Sequence, residues 1–370
     1  MKSRLPYLDF GAGIMILWMV IFHILGTIWS FDLNGYWEVS DLSLLPEGTK
    51  AIINSAGKVE CLNPCVLFPY LNFFMPWFFY KSGQFFKQQR ISNLWQRDWQ
   101  KLFKPFLFWS VVGYVMYILF GWLNNSITLY SATFAIIKGA IATGSIPLNG
   151  PLWFLSTLFL VRFLANIILP KQTEKCFWLK IIGIILAGYI VAFLTYKFDY
   201  RFVPLWVGNG VAGLIFFCLG YAFSKYEKYW WVIIPCCIVY VICCFTEFPI
   251  VDMKYNKLCG GDYLLWIPIS YCSIVSFNAI CKILYKYIRI KPIELIGQYA
   301  MPIFVTHVLF IASVKFFITY FDIAISSTML LYVILLTLVI FLPMTCKFFD
   351  SKIYQSIINS KYFFYNKINS

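Results

Sequence analysis

The chain has 370 residues, 61% of them hydrophobic and 12% charged, with a mean hydropathy of +0.74. A soluble domain carries about 25% charged residues, so a soluble globular fold is excluded. The net charge of +14 calls for no nucleic-acid partner, because basic loops facing anionic membrane lipid account for it.

Apolar runs of about eighteen residues or more recur along the chain, which reads as transmembrane helices rather than core strands. The expected fold is all-α, a polytopic transmembrane helix bundle. Ten spans are expected, at about 10–31, 66–86, 104–123, 150–169, 178–196, 204–223, 230–246, 263–284, 296–319 and 327–347. Lys2 and Arg4 precede the first run as in a signal peptide. The run is about twenty residues long, however, and no small-residue cleavage site closes it, so it reads as a retained first helix.

Charge orients the spans. With the N-terminus inside, the inner segments and span ends collect 21 of the 30 Lys and Arg residues and the outer side eight; the remaining one is Lys81, in the second span. The positive-inside rule then favours both termini in the cytoplasm. Residues 1–350 form one transmembrane unit and 351–370 a short cytoplasmic tail. The first outer loop, about Asp32 to Cys65, is the longest and too small for a domain of its own. Internal repeats of the kind that build transporter halves are not evident.

Of the twelve cysteines, most lie in or beside spans, where cysteine behaves as a small apolar residue. Cys61 and Cys65 are the exception, four apart and flanking Pro64 in the first outer loop. They suit a small disulfide loop, with Cys259 a third candidate and the pairing open. No metal site is read from them.

The polar groups at membrane depth carry the functional argument. The chain has two histidines. His23 stands about 20 Å into the first span and His307 about 16 Å into the ninth, counted from the same face. An ionisable side chain at that depth is costly and marks a functional site. One such histidine would equally suit a helix–helix hydrogen bond; two at matching depth favour chemistry. Lys81, in FMPWFFYKSGQFFK, lies near the inner end of its span. It reads either as a snorkelling lysine or as an anion-binding cation at the inner mouth, where Arg4 and Asp9 also lie.

Several motifs resemble one family. RLPYLDFGAGIMILWMVIFHI from Arg4, MPWFFYKSGQFF from Met75, GPLWFLSTLF from Gly150 and IELIGQYAMPIFVTHVLF from Ile293 are similar, in order, to motifs of the membrane acyltransferase-3 family, which includes bacterial glycan O-acetyltransferases. Many members carry a cation eleven residues before the first histidine. That position is Ala12 here, and we expect Lys81 to replace the missing charge.

The resemblance implies acetyl-CoA as donor and a hydroxyl of a cell-surface or lipid-linked glycan as acceptor, at a bacterial inner membrane. Acyl transfer needs a base for the hydroxyl proton or a nucleophile for the acyl group, and neutral histidine serves as either. The catalytic candidates are His23, as base or nucleophile, and His307, as the group that polarises the thioester or orients the acceptor. Arg4, Lys81, Ser82 and Arg90 are the donor-binding candidates, with Thr306 an added hydrogen-bonding group and Pro302 a kink before His307. Asn209 and Trp153 are the acceptor-binding candidates, although packing explains both as well. A secondary transporter or flippase for a glycolipid or small solute is the alternative, and a noncatalytic scaffold the third reading. Scarce membrane carboxylates speak against transport, and paired histidines against a scaffold.

Overall fold

The computed structural model describes residues 5–28, 36–39, 51–53, 59–62, 71–124, 128–142, 148–198, 205–246, 248–254, 256–321 and 333–350. Within them the chain is a helical membrane bundle. Six helices are long and apolar enough to cross a bilayer: Pro6–Ile24, Ile91–Leu123, Gly150–Ile168, Phe177–Lys197, Tyr263–Tyr287 and Ala300–Ile318. Four further expected spans coincide with shorter or partly described helices.

In chain order, α1 (Pro6–Ile28) begins with proline at its first position, where the missing N–H has no intrahelical role. The 11-residue α2 (Phe74–Gln84) is about 16 Å long and too short to cross alone. Next, α3 (Ile91–Leu123) extends the expected third span at 104–123 by more than a dozen residues on its N-terminal side. A π-helical turn at Trp99–Phe103 interrupts it. Pro105 follows that turn and has no N–H for a carbonyl one turn back, so the widened turn absorbs the lost bond. The same grammar recurs at Thr337–Phe341, where Pro343 follows and α12 (Leu342–Asp350) continues.

Between these lie α4 (Leu129–Ala142), α5 (Trp153–Ile168), α6 (Phe177–Lys197), α7 (Leu205–Phe223), α8 (Trp230–Phe245), α9 (Tyr263–Tyr287), α10 (Lys291–Gln298) and α11 (Ala300–Tyr320). α4 falls where only a loop was expected. The Asp262 carboxylate caps α9 by accepting from the Leu264 amide at 2.8 Å.

The fold is not helical throughout. β1 (Tyr36–Val39), β2 (Ala51–Ile53) and β3 (Val59–Leu62) form an antiparallel sheet with β3 in the centre. β4 (Ile250–Asp252) pairs with β5 (Lys257–Gly260) as a hairpin between α8 and α9. Both sheets lie in connections, outside the helical layer. Cys61 falls on β3, whereas Cys65 lies outside the described residues, as does the 351–370 tail.

Side-chain exposure fits lipid as the solvent. Val111, Val115 and Leu119, spaced four apart on α3, are 61%, 58% and 46% exposed, a stripe no aqueous surface would favour. At one level of the bundle Lys225 lies 5.3 Å over Trp178 and 5.2 Å over Tyr226, with Trp230 and Trp231 exposed beside them. Aromatics among cations at one height mark a membrane–water interface.

Lipid tails are as apolar as leucine, so helices associate here through close packing at small residues rather than through hydrophobic burial alone. Two crossings show it. A Cβ on Gly13 would stand 2.0 Å from the Ile293 carbonyl oxygen, and one on Gly297 would stand 1.7 Å from that of Asp9. α1 and α10 therefore run antiparallel, backbone on backbone. Likewise a Cβ on Gly83 of α2 would stand 1.9 Å from the Phe217 carbonyl oxygen of α7, and one on Gly220 would stand 1.9 Å from that of Tyr80. No side-chain rotation relieves such overlaps, because the obstacle is backbone. Gly183 of α6, by contrast, has nothing within 4 Å. Gly297→Val is expected to abolish recovery of folded protein from detergent extracts, whereas Gly183→Ala leaves the melting temperature unchanged or raises stability by up to about 1 kcal/mol.

Candidate active site

α1 delivers His23 in its last turns, and α11 delivers His307 two turns from its start. Their ring centroids are 5.0 Å apart at 50°. The matched depth read from the sequence is thus an actual contact between helices 284 positions apart in the chain. The α1–α10 crossing makes this possible, since α11 follows α10 directly and packs along α1.

The surroundings set the state of His307. Its ring is fully buried, and Nδ1 lies 2.8 Å from the Phe304 carbonyl oxygen and 3.1 Å from that of Ile303. A carbonyl oxygen only accepts, so Nδ1 must carry the hydrogen. In the neutral ring the lone pair is then on Nε2. That atom is buried and has no hydrogen-bond partner among the described residues. His23 is half-buried, less enclosed than His307. The Phe22 ring lies edge-on at 5.2 Å. Thr306 turns its hydroxyl back to the Pro302 carbonyl at 2.9 Å, a bond within its own helix rather than toward the rings.

On the side of the bundle where α1 ends, the connection before α5 and the β4–β5 hairpin close over the pair. Leu148 adopts a positive φ of 68°. Asn149, fully buried, donates from Nδ2 to the Val305 carbonyl at 3.0 Å, two residues before His307. Its Oδ1 is buried without a partner among the described residues. Lys254 of the hairpin brings its Nζ to 3.3 Å from where a Cβ on Gly150 would be. The hairpin is anchored twice. Asn209 Nδ2 donates to the Lys254 carbonyl at 3.2 Å, and Asn256 Nδ2 donates to the Ala192 carbonyl at 2.9 Å.

The opposite side holds the other candidates. Lys81 is 8% exposed, which rules out the snorkelling arrangement. Its ammonium donates to Gln84 Oε1 at 2.9 Å and lies 5.4 Å over the Trp77 ring. A buried network continues from there. Trp77 Nε1 donates to Asn278 Oδ1 at 2.9 Å, Asn278 Nδ2 reaches both Glu227 oxygens at 3.3 and 3.2 Å, and the Tyr80 hydroxyl donates to Glu227. Burial pushes the Glu227 carboxyl above its ordinary range, opposed by the Lys81 charge and by these hydrogen bonds.

Ser82 is not free for a ligand: its Oγ accepts from Arg162 Nη1 at 3.1 Å. Arg162 Nε in turn donates to Asp98 Oδ2 at 2.8 Å, while Asp98 Oδ1 takes Arg97 Nε at 2.9 Å. The Ser-Gly motif of α2 is therefore a junction: Gly83 seats α2 on α7 and Ser82 ties it to α5. Arg90 is exposed at the start of α3. Arg4 lies outside the described residues. Trp153 is 5% exposed in the core, edge-on to Phe154 at 6.3 Å. Asn209 is fully buried, its Oδ1 taken by the Thr157 hydroxyl at 3.1 Å. The structure thus joins His23 with His307, and Lys81 with Glu227, but leaves Asn209 and Trp153 as packing and anchoring groups. Asn149, Lys254, Glu227 and Arg162 escaped the sequence reading. Asn149 carries no feature in the sequence that singles it out.

A membrane helix bundle that closes around two uncharged-type bases, one with a fixed lone pair, has the equipment of a group-transfer enzyme. The family described as an acyltransferase domain, Acyl_transf_3, matches residues 5–347, so the chain belongs to the acyltransferase-3 family and is a membrane acyltransferase. No curated protein and no solved structure matched the chain.

Asp98 is 5% and Arg162 14% exposed at the side chain. Removing one partner of a buried pair leaves the other charge uncompensated and costs on the order of 3 kcal/mol. Asp98→Ala should therefore lower the melting temperature in detergent clearly, and the double change Asp98→Leu with Arg162→Met should recover much of that loss.

Proposed function

We propose that the protein is an O-acyltransferase that moves an acetyl group from cytoplasmic acetyl-CoA to a hydroxyl of a cell-surface or lipid-linked glycan. The observation that carries this reading is the pair of imidazoles 5.0 Å apart with the unpartnered Nε2 of His307. The proposed topology is ten spans with both termini cytoplasmic, in a bacterial inner membrane, so that Lys81 faces the donor side and Lys254 the acceptor side.

The chemistry follows from the tautomer. Nε2 of His307 takes the proton of the acceptor hydroxyl as its oxygen attacks the thioester carbonyl carbon. The new C–O bond forms, the C–S bond breaks, and the proton passes from the imidazolium to the departing thiolate, releasing CoA as the thiol. His23, across the pair, donates its ring N–H to the carbonyl oxygen where negative charge develops. The roles first expected for the two histidines are thereby exchanged, because a fixed Nδ1–H makes His307 the better-defined base. Lys81, with Arg4 and Arg90 at the same mouth, supplies positive charge for the phosphates of the donor. Ser82 acts through Arg162 rather than on the donor.

The test is transfer of labelled acetyl from acetyl-CoA to envelope glycans by protein in nanodiscs. His307→Ala is expected to reduce transfer by roughly 10²–10⁴-fold, and His23→Ala by a comparable factor. Undiminished product in both would refute acyl transfer at this pair; sugar flux without label would point to transport. Lys81→Ala is expected to raise the acetyl-CoA KM about tenfold, equivalent to roughly 1.4 kcal/mol of lost binding, with a smaller change in kcat. An unaltered KM would remove Lys81 from the donor site.

A further inference from the structure

Three groups on the far side of the histidine pair are left over from the donor chemistry. Two are hydrogen-bond acceptors buried without partners: Oδ1 of Asn149 and Nε2 of His307. Leaving such an atom buried without a hydrogen bond is costly, and a fold sustains the cost where a ligand completes the bond. They belong to one neighbourhood, since Asn149 is tied to the Val305 carbonyl on the same turn of α11 that carries His307. Neither atom can donate: Oδ1 of Asn149 is an amide oxygen, and the His307 hydrogen is on Nδ1. The missing ligand must therefore bring donors, and at least two of them. A sugar with neighbouring hydroxyls does so; a thioester, which carries no donor at its reacting end, does not.

The third group is the Lys254 ammonium over the Leu148–Gly150 turn. Its place is built: Asn209 holds the Lys254 carbonyl, Asp252 Oδ1 accepts from the Lys254 amide at 3.0 Å, and Gly150 leaves the room that a side chain would fill. Positive charge at the rim of an apolar chamber acts at short range and selects anions.

We propose that Asn149 and Lys254 form the acceptor subsite and that the acceptor is an anionic sugar, with a carboxylate or phosphate beside the acylated hydroxyl. One hydroxyl donates to Nε2 of His307, its neighbour donates to Oδ1 of Asn149, and the anionic group meets Lys254. The assignment deepens the acyltransferase reading and rests on it for the role of His307.

Two matched oligosaccharides test it, one ending in glucuronate and the other in glucose, with binding measured on the full chain in nanodiscs without acetyl-CoA. The wild type is expected to bind the glucuronate form about tenfold more tightly. Lys254→Gln removes that preference, Lys254→Arg restores it, and Asn149→Leu weakens both sugars alike. A phosphate-ended third probe separates carboxylate from phosphate recognition, and free inorganic phosphate as competitor shows whether charge alone suffices. Equal affinity for the glucose and both anionic forms, or a preference that survives Lys254→Gln, overturns the proposal. Failure of the acyltransferase reading registers elsewhere: the sugar preference stays intact while label from acetyl-CoA goes nowhere.

Discussion

The structure depends on backbone meeting backbone. Where α1 crosses α10, Gly13 lies against the Ile293 carbonyl and Gly297 against that of Asp9. In lipid no hydrophobic gain drives two apolar helices together, so such contacts fix which helix faces which. This crossing sets α11 along α1, and the facing histidines follow from it. A second crossing, Gly83 and Gly220 between α2 and α7, fixes the other half of the bundle. It brings Tyr80 and Lys81 toward Glu227 and Asn278. The same few glycines thus hold up both ends of the chamber.

The two ends differ in kind. On the Lys81 side the polar groups satisfy one another: Glu227 is held by Tyr80 and Asn278, Asp98 by Arg97 and Arg162, and Ser82 by Arg162. A closed network resists local opening, and it secures α2, α3, α5 and α9 against each other. On the Lys254 side two acceptors remain unmade. Oδ1 of Asn149 and Nε2 of His307 are set apart from other buried polar atoms by lying together beside one turn of α11.

Much of this was legible in the sequence where a residue type is costly in its setting. Two histidines and a lysine at membrane depth stand out because ionisable groups there need a reason, and apolar run length exposes the helices. Glycine gives no such signal: Gly297 and Gly183 look alike in sequence, yet one lies against backbone and the other has open space. Asn149 has no feature in the sequence that singles it out, and Lys254 is one more loop cation. Their meaning depends on a hairpin folding back over the helix ends, which no periodicity encodes. The partners of Ser82 and Asn209 were hidden for a similar reason, since Arg162 and Thr157 lie 80 and 52 residues away. The β-strands of the first loop were hidden by their shortness, three or four residues each.

The fixed tautomer of His307 links fold to chemistry most directly. An imidazole free to turn would present either nitrogen to the chamber, and half its orientations would offer an N–H where a base is needed. The carbonyls of Ile303 and Phe304, one turn back on the same helix, remove that choice. Such a bond needs no break in the helical ladder: the hydroxyls of Ser273 and Ser313 turn back to the carbonyls of Ile269 and Leu309 in the same way. The lone pair of His307 is then aimed by covalent neighbours rather than by a second side chain. Under the proposed reading this replaces a carboxylate: in lipid, a backbone carbonyl orients the ring without bringing a charge to membrane depth.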